Sequence, residues 1–222
     1  MGPTIPTGQS VAIIQTGRYS GKFYSVCFMS QNLQERILRA ASALFYRQGI
    51  KSTGVDAVVK AAGTTKMSLY KYFPSKDDLV LAYLDNRREA MRLRLLRDMP
   101  NTDSPKEKLL AVFDVFAELH ADPEFRGCPF INAAAEFAEE GGRVQQAAAA
   151  YSASFRQLLA GLAEQAGARQ ADELAGHLSM LIAGAMVREQ MQKGSGGMRD
   201  ARKAAEILLG NYLAAAESPI LD

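Results

Sequence analysis

From Asn32 onward apolar residues recur at three- and four-residue intervals, and that spacing predicts helices along almost all of the remaining chain. Leu33, Ile37, Ala40, Ala41, Leu44 and Phe45 form one stripe, opened by Asn32 and Glu35 as an N-cap with its reciprocal carboxylate and closed by Gly49. Val55, Val58, Val59 and Ala62 predict a short second helix that stops at Gly63. Thr65 can cap a third, which runs to Phe73 because Pro74 cannot continue it. Ser75 and Asp78 begin a fourth helix lasting to about Met99, with Asp77 and Asp78 against the positive end of its dipole. Ser104, Pro105 and Glu107 begin a fifth. Asp122-Pro123 marks a turn or short helix, and periodic segments follow over 128–140, 142–167, 170–193 and 199–217, with Gly194-Ser195-Gly196-Gly197 as the clearest loop. No segment reads as a convincing strand beyond the first 29 residues. The expected fold is all-α, with about nine helices: an N-terminal tri-helical head carrying a helix-turn-helix, on a helical body.

Residues 1–29 have no helical period and mix Gly, Ser, Thr and Pro with scattered Tyr, Phe and Val, so they are expected to be a flexible N-terminal extension. Met29 stands just before the first capped helix, three residues ahead of its Asn32 cap, which leaves open whether residues 1–28 belong to the native protein. The expected division is therefore 1–29 extension, 30–78 head and 79–222 body. In 222 residues, 48% hydrophobic and 23% charged, the composition is that of a globular protein. No apolar run approaches the roughly 18 residues that span a bilayer, no secretory signal is recognisable, and the two cysteines, Cys27 and Cys128, are far apart. A cytoplasmic protein with no membrane partner is expected.

The net charge of +2 hides an asymmetry: residues 1–100 hold 15 Lys+Arg against 7 Asp+Glu, whereas residues 101–222 hold 11 against 17. The basic half is where a polyanion would land. It also contains two short helices joined across Ala62-Gly63-Thr64-Thr65, a helix-turn-helix whose second helix enters the major groove of double-stranded DNA. Winding residues 66–73 at 100° per residue puts Leu69 and Phe73 on one side and Met67, Ser68 and Lys71 opposite, with Lys66, Tyr70 and Tyr72 on the flanks. Lys66 and Lys71 suit guanine edges or phosphates, Ser68 suits either, and Met67 suits a thymine methyl. Tyr70, Tyr72 and Lys76 fit phosphate positioning, although the tyrosines would equally serve to close the small core and Lys76 to sit in solvent.

The run from Gly54 through Leu79, and above all its ending Leu69-Tyr70-Lys71-Tyr72-Phe73-Pro74-Ser75-Lys76-Asp77-Asp78-Leu79, resembles the DNA-binding head of the TetR/AcrR family of bacterial transcriptional regulators. The likeness is close over roughly residues 32–80. Two positions depart from the pattern: Thr64 replaces a small apolar residue after the turn glycine, and Gly54 stands where a Ser or Thr cap is common, so Thr53 is expected to cap the second helix and to reach the DNA alongside Thr65. The resemblance implies a sequence-specific regulator, commonly a repressor released from its operator by a small-molecule effector; the alternative is an architectural or interaction DNA-binding protein without a ligand.

The resemblance also implies a two-fold homodimer, and the 170–193 segment supports one independently. Leu174, Leu178, Leu181, Ile182 and Ala185 make one apolar face, and Gly176, Met180, Ala183, Gly184, Val187 and Met191 make a second, so both sides call for burial. The second face can meet a partner, with Leu208, Leu209 and Tyr212 of the last helix completing a four-helix interface. A central helix within one protomer is the competing explanation. For the effector pocket that the resemblance implies, Phe113, Phe116, Phe130, Phe137, Tyr151 and Phe155 supply aromatic walls, and Asn132 and Glu136, one turn apart, could orient a polar group. The same aromatics at helical spacing would also make an ordinary core. His120 and His177 have no neighbours at metal-ligand spacing, and there is no nucleophile elbow, phosphate loop or dinucleotide fingerprint, so neither a metal, a cofactor nor an enzyme is expected.

Overall fold

The computed structural model describes residues 32–137 and 141–214; the expected N-terminal extension lies outside them, as does the end of the last predicted helix. Among the described residues there are helices and no strands: α1 (Leu33–Gln48), α2 (Val55–Ala62), α3 (Lys66–Tyr72), α4 (Lys76–Asp98), α5 (Pro105–His120), α6 (Pro129–Glu136), α7 (Arg143–Gln165), α8 (Ala171–Met191) and α9 (Gly197–Ala214).

The caps explain most of these boundaries. Asn32 accepts from the Glu35 amide at 2.9 Å and its own amide reaches back to the Glu35 carboxylate at 3.4 Å. Ser75 accepts from the Asp78 amide at 3.1 Å, and its hydroxyl, followed by Arg143, holds the Asp78 carboxyl below the usual carboxylate range. At α5, Ser104 accepts from the Glu107 amide at 3.3 Å, but the Glu107 carboxylate accepts from Thr102 at 2.6 Å, so Thr102 completes the box. Asp122-Pro123 forms a turn, not a helix. Helix α9 starts two residues earlier than its pattern predicts: a Cβ on Gly197 would lie 3.1 Å from the Ala185 carbonyl, and its absence lets α9 begin directly against α8.

Helices α1 to α3 and the start of α4 enclose a small core of Ile37, Ala41, Phe45, Val58, Ala62, Leu69, Phe73 and Leu79. Helix α4 then runs unbroken through the expected head–body boundary at residue 78, with Phe45 edge-on to Tyr83 at 5.6 Å. In the body, α7 packs on α4, α5, α6 and α8, and α9 packs on α5 and α8. The inward face of α8 is the one predicted: Leu174, Leu178, Ile182 and Ala185 are buried.

Candidate DNA interface and effector cavity

Helix α3 has only seven residues, too few to be stable alone, and its position depends on what holds it. Leu69 and Phe73 are buried in the head, as their phase predicts. The turn before it is fixed by Gly63, which adopts the left-handed conformation (φ 59°, ψ 48°) while the Thr64 amide reaches back to the Val59 carbonyl at 3.1 Å. Arg36 of α1 donates to the Ala62 and Gly63 carbonyls at 2.8 and 3.1 Å, locking the turn to the first helix. Nothing in the periodicity marks Arg36 for this role; only the fold brings it there.

The opposite face of α3 is open. Met67 is 82% exposed, Lys66, Tyr70, Lys71 and Tyr72 are also exposed, and Ser68 and Lys76 are half-buried. The two tyrosines therefore do not close the core. Thr65 caps α3 by accepting from the Ser68 amide at 3.2 Å, and its hydroxyl donates to the Ser68 hydroxyl at 3.1 Å. Lys66 pairs with Asp56 of α2 at 2.8 Å, a contact that raises its pKa and leaves both side chains in solvent. Thr53 is a correction. It is 1% exposed and donates to the Gly49 carbonyl at 2.7 Å, so it neither caps α2, whose N-cap is Gly54 without a side-chain bond, nor presents a group to DNA.

The body contains a cavity of about 540 Å³ bounded by α4 to α8. Four of the expected aromatics line it: Phe116, Phe130, Tyr151 and Phe155. Phe130 and Tyr151 stack at 3.6 Å, and Phe116 meets Phe155 edge-on at 5.6 Å. Burial pushes the Tyr151 phenol well above its ordinary range and the Cys128 thiol up as well, so both stay protonated near neutral pH. Cavity walls not foreseen from the sequence include Arg87 and Met91 of α4 and Met186 of α8.

The other four predicted lining residues lie elsewhere. Phe113 is fully buried in the core. Asn132, Glu136 and Phe137 lie on the side of α6 turned to the head. The Glu136 carboxylate accepts from the Ile50 and Lys51 amides at 3.0 and 2.6 Å, and Lys51 lies 5.5 Å over the Phe137 ring. Asn132 donates to the Arg126 carbonyl at 2.8 Å and accepts from Gln190 at 3.3 Å. Beside them, the Tyr46 hydroxyl of α1 accepts from the Arg126 amide at 2.9 Å and donates to the Gly127 carbonyl at 3.1 Å. Gly127 has a φ of 86° there, a backbone conformation that residues with a side chain rarely adopt. These contacts make a head–body junction.

On the outer face of α8, Met180, Gly184, Val187 and Met191 are exposed, and Gly176 and Ala183 are half-buried. Leu208 and Tyr212 of α9 are half-buried, with the Tyr212 hydroxyl 3.1 Å from Nδ1 of His177. Leu209 is a second correction: it is fully buried between α9 and its own body and has no surface to offer a partner. Ile207 of the same helix is 67% exposed. Among the described residues no group of three or more His, Cys, Asp or Glu could hold a metal ion, and no helix is long and apolar enough to cross a membrane.

Two family models match the chain: bacterial regulatory proteins of the tetR family over residues 37–83, and the tetracyclin repressor-like C-terminal domain over residues 105–205. The HTH-type transcriptional regulator LmrA of Bacillus subtilis is 30% identical over 105 residues, 46% of this chain and 56% of the relative. An uncharacterized HTH-type regulator of Lactococcus lactis is 32% identical over 104 residues, 46% of this chain and 53% of its own; the chain thus spans about half the length of the curated relatives it matches. Among solved structures, a TetR-family transcriptional regulator from Streptomyces coelicolor superposes with a TM-score of 0.77 at 29% identity, over 82% of this chain and 96% of that one. A TetR-type regulator from Streptomyces avermitilis gives 0.66 at 31% identity, over 79% and 99%. With its head and its body each matched, and its fold shared with these regulators over about four fifths of its length, the chain belongs to the TetR family of bacterial transcriptional regulators.

Proposed function

We propose that this protein is an operator-specific repressor that binds double-stranded DNA as a two-fold dimer in the cytoplasm and is released when a small-molecule effector occupies the body cavity. The observation that carries this reading is α3: its inner edge is anchored by Leu69 and Phe73, while Met67, Tyr70, Lys71 and Tyr72 stand free on the outside. Met67, Ser68 and Lys71 meet base edges; Thr65, Lys66, Tyr70, Tyr72 and Lys76 hold phosphates. The cavity supports release by an effector over a ligand-free architectural role, which would suit a filled body.

Helix α6 offers the route between the two. One side of it, Phe130, Ile131 and Ala134, lines the cavity, and the other carries Glu136 on the Ile50 and Lys51 amides of the head. An effector that favours one setting of α6 thereby favours one placement of the head, by as much as its affinities for the two settings differ.

The reading is tested by selecting preferred sequences from random duplex DNA with the wild-type protein, Lys71→Ala and Lys76→Ala. Lys71→Ala is expected to change which bases are preferred. Lys76→Ala is expected to weaken all sequences alike and to reduce the salt slope by about one. Unchanged selectivity in Lys71→Ala would remove that residue from the base-reading face.

A further inference from the structure

The cavity has a charge as well as a shape. Among the described residues its charged lining is Arg87 and Arg94, both from α4, with no carboxylate in that lining. Arg94 is neutralised by Asp98 at 3.3 Å and Glu118 at 3.0 Å. Arg87 makes no ion pair among the described residues, and its Nε is buried without a hydrogen-bond partner. Its guanidinium lies 4.5 Å over the Tyr46 ring and 5.5 Å over the Tyr83 ring, which orients the cation without cancelling its charge. A guanidinium partly withdrawn from water beside an apolar wall is a standing cost that an anion removes and a neutral ligand does not.

Resting on the reading of this cavity as the effector site, we infer that the effector is an amphipathic anion, a flat apolar body carrying one carboxylate or sulfonate. The apolar body lies among Phe116, Phe130, Tyr151 and Phe155, whose rings already stack or meet edge-on. The acid group takes the fork of Arg87, whose planar donors match a two-oxygen anion. A cationic ligand finds no counter-charge among the described lining residues. The cavity volume of about 540 Å³ accepts a molecule of a few fused or linked rings. Because Arg87 also covers Tyr46, which is bonded to Arg126 and Gly127, drawing its guanidinium onto an anion acts on the head–body junction directly.

Two fluorescent probes of matched shape test this: anilinonaphthalene sulfonate, an anion, and N-phenyl-naphthylamine, its uncharged counterpart. The wild-type protein is expected to bind one of either per chain and to prefer the anion by about tenfold or more. Arg87→Met should remove that preference and leave the neutral probe within about twofold, Arg87→Lys should keep much of it, and Ala134→Trp, which fills the cavity, should abolish both. Thermal melts of the three variants establish that each is folded. Equal binding of the two probes by wild type, or an equal loss of both in a folded Arg87→Met, overturns the anion inference and leaves the cavity standing. Failure to bind either probe, or unaltered binding of both by a folded Ala134→Trp, overturns the cavity reading and the inference together.

Discussion

Arg36 makes the local geometry of the turn before α3 depend on a residue 26 positions away. Its guanidinium replaces water on the Ala62 and Gly63 carbonyls at the C-terminal end of α2, where a cation also opposes the negative end of the helix dipole. Removing one charged donor of this kind typically costs about 1.5–3 kcal/mol, and partial exposure places this one at the lower end. Arg36→Ala is expected to lower the melting temperature modestly and to weaken DNA binding more than the loss of stability explains, because the angle between α2 and α3 is no longer fixed. Operator affinity equal to wild type at a temperature where the variant is fully folded would contradict that role. Thr53 illustrates the converse. A threonine before a helix has the chemistry of a cap, but here the chain turns its hydroxyl inward to Gly49.

Helices were legible in the sequence wherever a cap and a stripe coincide. Asn32, Thr65, Ser75 and Ser104 bond to backbone amides three residues away, so nothing distant is needed to read them. Which way a helix faces is different information. Phe130 and Glu136 stand on one eight-residue helix, yet one meets the cavity and the other the head, and only the placement of α6 between α1 and α7 decides this. Aromatic residues could therefore be nominated for a pocket, while Arg87, on a helix that reads as a charged surface helix, could not. The end of α5 carries a pH-dependent contact of the same non-local kind. Both ring nitrogens of His120 are buried without hydrogen-bond partners against Phe125, and burial pulls its pKa below the usual value, partly opposed by Glu189. The unfolded chain then binds a proton that the folded one refuses, so stability is full above about pH 6.5 and falls as pH drops below it. Denaturant titrations across that range should show the decline in wild type and a flatter profile in His120→Phe; parallel profiles would contradict it.

At the scale of the whole molecule, the head is small and a single α3 contacts few bases, so specific binding calls for two copies held at fixed spacing. The exposed face of α8 is the surface proposed for a second copy: Met180, Val187 and Met191 are large apolar residues left in solvent along one helix, and Ile207 of α9 is exposed as well. Gly184 gives a clean probe of this face. A Cβ added there meets nothing within 4 Å in the protomer, so Gly184→Arg should leave the fold intact while placing a charge in the interface. Sedimentation at micromolar concentration is expected to give dimer for wild type and monomer for the variant, and a folded variant that remains dimeric would move the interface elsewhere. The most direct test of the account is a hydroxyl-radical footprint of the wild-type protein on the DNA flanking its own gene. Two protected half-sites in inverted repeat, about one helical turn apart or a multiple of it and lost together in Gly184→Arg, are the predicted result. A single unrepeated site, or protection spread evenly along the duplex, would contradict it.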